Sequence, residues 1–511
     1  TNGGLNVPNL YSLSNSVNPL NAPSESFVAR QVNGIFADAT FGYKNYLYLD
    51  LTARRDVSST LAPKYNTYYY PSASLSYVFT NHMPELFKAF QMSYGKARVN
   101  FAKVGSDAPY GRTRDYFVPT TPFAGNPIYS VSAIKNEANL KPEQTSSYEA
   151  GLELGFFKDR LTVDASYYNA ITYNQIIPVE VSRATGFSSK YINAGKIKNY
   201  GFEVSLGARP VQTKDFAWDI NLNWTRNRNM VMELPDIDNI QLATFQGGVS
   251  MNATVGEAYG TLKGKDFIYK DGRRLIDSST GYFMVTETSD STIGNINPRW
   301  MGGMRNTFRY KNVALSFLID AKMGGSVFSL DQFYGAQTGV YSALVSYNGM
   351  IKDQDKYNKG LTEEQLATTA GVNENGVSVR EDVLNGDPKG GIILDGVSYN
   401  AAGELVENTK RVTVDYFLGN SMPAAAYVYD ASYIKLREVN LTYSIPTKYI
   451  SKMKLVKGID ISLYGRNLAI LFKNVPFADP EDGMSSGNIQ GFQSGAYPTA
   501  RIFGGNLRFN F

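Results

Sequence analysis

From Tyr46 onward the chain alternates between apolar and polar side chains: Leu47, Leu49, Leu51 and Ala53 take one parity, and Tyr48, Asp50, Thr52 and Arg54 take the other. A period of two predicts a strand with two unlike faces. The same alternation sets Tyr148, Ala150, Leu152, Leu154 and Phe156 against Glu149 and Glu153, and Phe216, Trp218, Ile220, Leu222 and Trp224 against Asp219, Asn221 and Asn223. In the last residues Phe503, Leu507, Phe509 and Phe511 share a parity, with Arg508 and Asn510 on the other. One strand changes phase. Ile434 and Leu436 lie on one parity and Val439, Leu441, Tyr443 and Ile445 on the other, so an extra residue near Glu438 predicts a β-bulge.

Alternation alone fits a soluble sandwich with its polar face outward as well as a barrel with its polar face inward. Connectivity separates the two. Strands are predicted near 31–42, 46–54, 73–79, 96–104, 148–156, 161–168, 200–208, 216–224, 300–309, 313–320, 434–445, 459–468 and 501–511, about thirteen in all. Short joins at 43–45, 157–160, 209–215 and 310–312 alternate with long ones at 56–69, 105–144, 171–198, 226–299, 322–430 and 471–500. Tight turns at one rim and long loops at the other are the arrangement of an outer-membrane β-barrel, whose apolar face meets lipid and whose polar face lines a wet lumen. The predicted fold is therefore all-β, a transmembrane antiparallel barrel with long extracellular loops. The first and last strands run the same way, so an odd number of further strands is expected from elsewhere.

Composition sharpens this picture. The chain has 511 residues, 36 Tyr, 28 Phe, no Cys and one His, His82. Tyr in excess suits the aromatic girdles at the membrane interfaces. A formal charge of +4 on 50 basic and 46 acidic residues argues against nucleic acid, which calls for a concentrated basic stripe. Without Cys there are neither disulfides nor thiolate metal sites, and one His makes no histidine cluster. Residues 1–10 show neither the basic stretch nor the apolar core of a secretory signal, so a mature chain, or a piece of a longer one, is expected.

No catalytic constellation stands out, and no cofactor is expected. Glu149 and Glu153 read as solvated lumen charges rather than an acid/base pair; Glu203, Asp219, Lys435, Arg437 and Arg508 join them as lumen-facing candidates. Asp353, Asp355 and Glu364 have the first, third and twelfth spacing of a calcium loop, but Tyr357 at the fifth position and Asn358 in place of glycine weigh against a metal. The join over 322–430 is roughly a hundred residues, a length that usually signals function. Its Phe328, Phe333, Tyr334, Tyr341 and Tyr347, with Phe477, Phe492 and Tyr497 of the final loop, are candidates for stacking on sugar rings or peptide side chains. The alternative for each is packing within the loops or against a partner protein. Phe509 and Phe511 are candidates for a terminal assembly signal.

Several stretches resemble the SusC family of TonB-dependent outer-membrane transporters of Bacteroidetes: 46–59 (YLYLDLTARRDVSS), 70–79 (YPSASLSYVF), 96–105 (KARVNFAKVG), 193–204 (NAGKIKNYGFEV), 297–308 (NPRWMGGMRNTF) and 433–443 (YIKLREVNLTY). They span nearly the whole chain in family order. The resemblance implies the later part of a barrel of about 22 strands closed around a plug. It also implies TonB as energy-coupling partner, a SusD-like lipoprotein as lid, and an oligosaccharide or oligopeptide as cargo. The plug and the TonB-contacting segment would belong to a missing N-terminal portion or a separate chain. A passive porin and a barrel-anchored outer-membrane hydrolase are the rival expectations.

Overall fold

The computed structural model describes residues 4–18, 27–234, 237–337, 392–412, 422–451, 453, 455–483, 489–497 and 499–511. Thirteen strands form one sheet in which every strand pairs antiparallel with the next in the series. They are β1 Val32–Tyr43, β2 Leu47–Ser58, β3 Thr67–Tyr77, β4 Met92–Ser106, β5 Glu143–Phe156, β6 Leu161–Tyr173 and β7 Lys196–Gln212. The series continues with β8 Phe216–Glu233, β9 Trp300–Tyr310, β10 Val313–Met323, β11 Tyr433–Ser444, β12 Gly458–Lys473 and β13 Ile502–Asn510. Lengths run from 9 residues in β13 to 18 in β8, enough to cross a hydrocarbon core when tilted. Among the described residues no helix is long and apolar enough to cross a membrane.

All thirteen predicted strands are present. The turn between β1 and β2 places Lys44 and Asn45 at φ 46° and 57°, a left-handed pair whose twist suits a tight β-hairpin. Two joins on the turn side depart from tight-turn geometry. Short helices at Phe79–His82 and Pro84–Lys88 follow β3, and another at Thr447–Ile450 follows β11. The bulge falls one residue before its expected place: Leu318 pairs with Glu438 and Ile319 with Leu436, leaving Arg437 as the extra residue.

Register carries one polar face from strand to strand. Thr40 faces Asp50, Asp50 faces Ser74, Ser74 faces Asn100, Asn100 faces Glu149 and Glu149 faces Tyr168. Side-chain hydrogen bonds follow the same line, from Thr40 to Asp50 at 2.7 Å and from Ser74 to Asn100 at 2.6 Å. The opposite face is apolar and open: Leu152 is 40% and Leu463 63% exposed. That exposure is costly in water and natural in lipid.

The main hydrophobic core lies in the long loops. The join after β8 folds into a four-stranded sheet, Asn239–Phe245, Val249–Thr254, Thr261–Gly264 and Ser291–Asn295. After β10, Ser326–Ser329 pairs antiparallel with Val428–Asp430 and parallel with Phe492–Gln493 of the last loop. Met251, Leu262, Phe328, Tyr427 and Phe492 are buried together where these loops meet.

Candidate functional site

The polar face is organised by ion pairs that span strands. Arg98 of β4 reaches across the sheet: Nη1 donates to Glu153 at 2.7 Å, and Nη2 donates to Ser166 at 2.7 Å and to Asp164 at 3.2 Å. Glu149 lies 3.6 Å from Arg98 Nε, and Lys96 adds a bond to Glu153 at 3.1 Å. Directly opposite Arg98 in the register is Gly151, where a Cβ would stand 2.5 Å from the guanidinium. Glycine there leaves room for the arginine to lie across the strand. Glu149 and Glu153 thus share the charge of Arg98, and Glu153 also meets Lys96, so both are engaged in cross-strand ion pairs.

Further along the same face Asp219 sits between Arg209, at 2.6 Å, and Arg309. Glu438 sits between Arg305 and Arg466, each at 3.1 Å. Glu203 and Arg508 are exposed on this face, Arg508 opposite Asp460. A cavity of about 1120 Å³ lies over it, with Glu153, Asp164, Asn221, Asn223 and Arg305 among its lining. Such a surface offers hydrogen-bonding groups of both kinds and no concentrated charge of one sign.

At the bulge the final loop folds back onto the wall. Lys435 donates to Asp479 at 2.7 Å and to Glu481 at 2.5 Å; Arg437 Nε donates to Asp320 at 2.8 Å, and its Nη2 bonds Glu481. Tyr433 donates to Glu481 at 2.7 Å. Burial pushes the Glu481 carboxyl up, yet the hydrogen bonds from Arg437, Lys435 and Tyr433 outweigh it and hold its pKa at about 2. The sequence indicated that Lys435 and Arg437 share a side, and two cations on one side call for counter-charges. It did not single out Asp320, Asp479 and Glu481 as those counter-charges.

The loop aromatics divide by burial. Phe328 and Phe492 are buried and stacked, ring centroids 5.4 Å apart, with Phe333 6.0 Å from Phe328. For Phe328 and Phe492 this corrects the expectation of solute contact: both pack the loops, because three loops converge on them. Tyr334, Phe477 and Tyr497 are exposed, Tyr497 almost completely. Tyr341, Tyr347, Asp353, Asp355 and Glu364 lie outside the described residues. Phe509 is exposed on the apolar face, and Phe511 follows the end of β13.

An amide lies on the apolar face in β9. Asn306 of β9 shares its parity with Met304 and Phe308, and Trp218 Nε1 donates to Asn306 Oδ1 at 3.0 Å. The indole covers a polar group that hydrocarbon would otherwise leave unsatisfied. Trp218 also stacks on Phe308, centroids 5.6 Å apart.

Comparison with known proteins gives a consistent result. Residues 3–349 match the model described as TonB dependent receptor-like, beta-barrel. TonB-dependent receptor P26 of Formosa agariphila is 27% identical over 98% of this chain and 48% of its own length. TonB-dependent receptor SusC of Bacteroides thetaiotaomicron is 28% identical over 40% of this chain and 22% of its own length. The solved RagAB peptide transporter superposes with a TM-score of 0.69 over 99% of this chain and 50% of that one, at 18% identity. The chain spans about half the length of the curated relatives it matches. With two-thirds of its residues matched by that model and a single antiparallel wall that is polar on one side and apolar on the other, the chain belongs to the TonB-dependent receptor β-barrel family of the bacterial outer membrane.

Proposed function

We propose that this chain forms the later part of the barrel wall of a SusC-like importer, which takes up a nutrient oligosaccharide or oligopeptide under a SusD-like lipoprotein lid and draws energy from TonB. The observation that carries this reading is the unbroken polar face of thirteen strands, bound across strands by Arg98, Asp219 and Glu438 and capped by folded loops. In this reading the wall makes and breaks no covalent bonds. It keeps every strand paired against lipid around a polar passage, which a plug supplied by the rest of the transporter closes and TonB remodels. Exposed Tyr334, Phe477 and Tyr497 stand on the loops as the surfaces that meet solute or lid.

Uptake of labelled oligosaccharide and oligopeptide mixtures tests this in cells with and without the full transporter. Accumulation should disappear when the transporter is deleted, when TonB is removed, and when an uncoupler collapses the proton gradient. Uptake indifferent to TonB, together with stable single-channel conductance from the purified protein, would establish a passive channel instead.

A further inference from the structure

A second cavity, of about 1170 Å³, lies at the long-loop end of β2 and β4, bounded by residues of the segments 58–66 and 110–116. Among the described residues its charged lining consists of Arg112 and Arg114. The two loops it lies between, 59–66 and 107–142, carry three acids, and each is matched to another cation. Asp107 is held by Arg30 at 2.6 Å, Asp115 by Lys135, and Glu137 by Lys190 at 3.0 Å. Among the described residues neither Arg112 nor Arg114 has an ion-pair partner, so the cavity holds two cations in excess.

Arg112 is fixed in place. Its guanidinium lies over the ring of Tyr191, 4.8 Å from the centroid, and its buried Nε has no hydrogen-bond partner among the described residues. Tyr191 in turn packs on the buried cluster of Leu61, Tyr68, Ala108 and Leu140. A guanidinium stacked on a ring that itself packs on a buried cluster is a restrained planar fork, and a carboxylate accepts two parallel N–H bonds from such a fork. Tyr110 and Tyr116, both about half exposed, add flat apolar faces beside it.

We propose that this cavity recognises a carboxylate carried by the imported solute, with Arg112 and Arg114 binding the carboxylate and Tyr110 and Tyr116 contacting the adjoining residue of the solute. The proposal rests on the importer reading and narrows its cargo to acidic oligomers. A uronic-acid glycan and an acidic peptide share this chemistry, and the test separates them.

Equilibrium binding is measured on the full transporter complex purified in detergent, without energisation. Hexagalacturonate and hexaglutamate serve as acidic probes, and maltohexaose and hexaglutamine as their neutral counterparts. At least one acidic probe should bind more tightly than its neutral counterpart, and Arg112→Gln with Arg114→Gln should weaken it by roughly tenfold or more. Arg112→Lys with Arg114→Lys should retain part of the affinity, since the charge stays and the fork is lost. Heat-modifiable migration confirms that each variant is folded. Binding of the galacturonate probe alone supports a glycan source, and of the glutamate probe alone a peptide source. No binding by either acidic probe, or acidic binding unchanged in the glutamine variant, overturns the proposal. TonB-dependent uptake measured in parallel keeps the two readings apart: import that persists without acidic binding removes the cavity assignment alone, whereas acidic binding with TonB-independent uptake removes the importer reading alone.

Discussion

Lys435 Nζ of β11 lies 2.7 Å from Asp479 Oδ2 of the last loop, and both side chains are nearly sealed from solvent. A pair so placed owes its stability to mutual compensation. Removing one member leaves a charge with no water to solvate it, so Lys435→Met should destabilise the protein by about 3–5 kcal/mol. Lys435→Met combined with Asp479→Asn should cost clearly less than the two single changes added together. Thermal unfolding of the four proteins in detergent measures the difference.

The same loop should respond to acid. Glu481 has its pKa lowered to about 2 in the folded protein, against an ordinary 4.5. A lowered folded pKa contributes stability that is complete above the ordinary value and is lost as pH falls from about 4.5 towards 2. Because the side chain is about one-third exposed, the contribution is screened to roughly 1–2 kcal/mol. Protease cleavage within the final loop should accelerate over that window in the wild type. Glu481→Gln should be cleaved readily even at neutral pH and show little further change.

Trp218 and Asn306 make a local test of the lipid face. Trp218→Phe keeps an aromatic ring but withdraws the donor from Asn306, and an orphaned amide there should cost about 1–3 kcal/mol. Asn306→Leu in the Trp218→Phe background should recover most of the loss, since no polar group then remains to be satisfied. A double-mutant cycle by chemical unfolding in lipid vesicles reports the coupling.

Gly151→Val should disturb Arg98 rather than the strand itself. A Cβ at this position would stand 2.5 Å from the guanidinium, forcing Arg98 away from Glu153 and Asp164. The expected loss is about 1–3 kcal/mol. In an Arg98→Ala background the same substitution should be nearly neutral, because the side chain it collides with is gone. Unfolding midpoints of the single and double variants distinguish the two cases.

The strands were legible because lipid and lumen each impose a rule on alternate residues, and the rule ends where the membrane ends. The apolar parity of β8 stops at Trp224, yet the strand continues to Glu233 through residues such as Thr225, Arg226 and Asn227, which are polar on both faces. Alternation therefore finds the strand and misses its outer extension. The phase change in β11 was visible for the same reason, to within one residue of Arg437. The loops follow no such rule. Phe328 and Tyr497 look alike in sequence, and only the convergence of three distant segments buries the first and leaves the second open. Arg98 went unnoticed because its partners come from β5 and β6, and a single parity pattern does not name neighbours across strands.

The parallel pairing of Phe328 with Phe492 joins two loops that leave the barrel at different strands, and their shared core takes in the sheet of a third. Segments knitted in this way are expected to change as a block. A graft of one loop from a relative would bring half an interior with it and leave the other half unmatched. On the importer reading, new cargo preferences are therefore expected to arise at rim positions such as Tyr497, which is almost fully exposed and can change without disturbing its hosts, or by exchange of the three loops together.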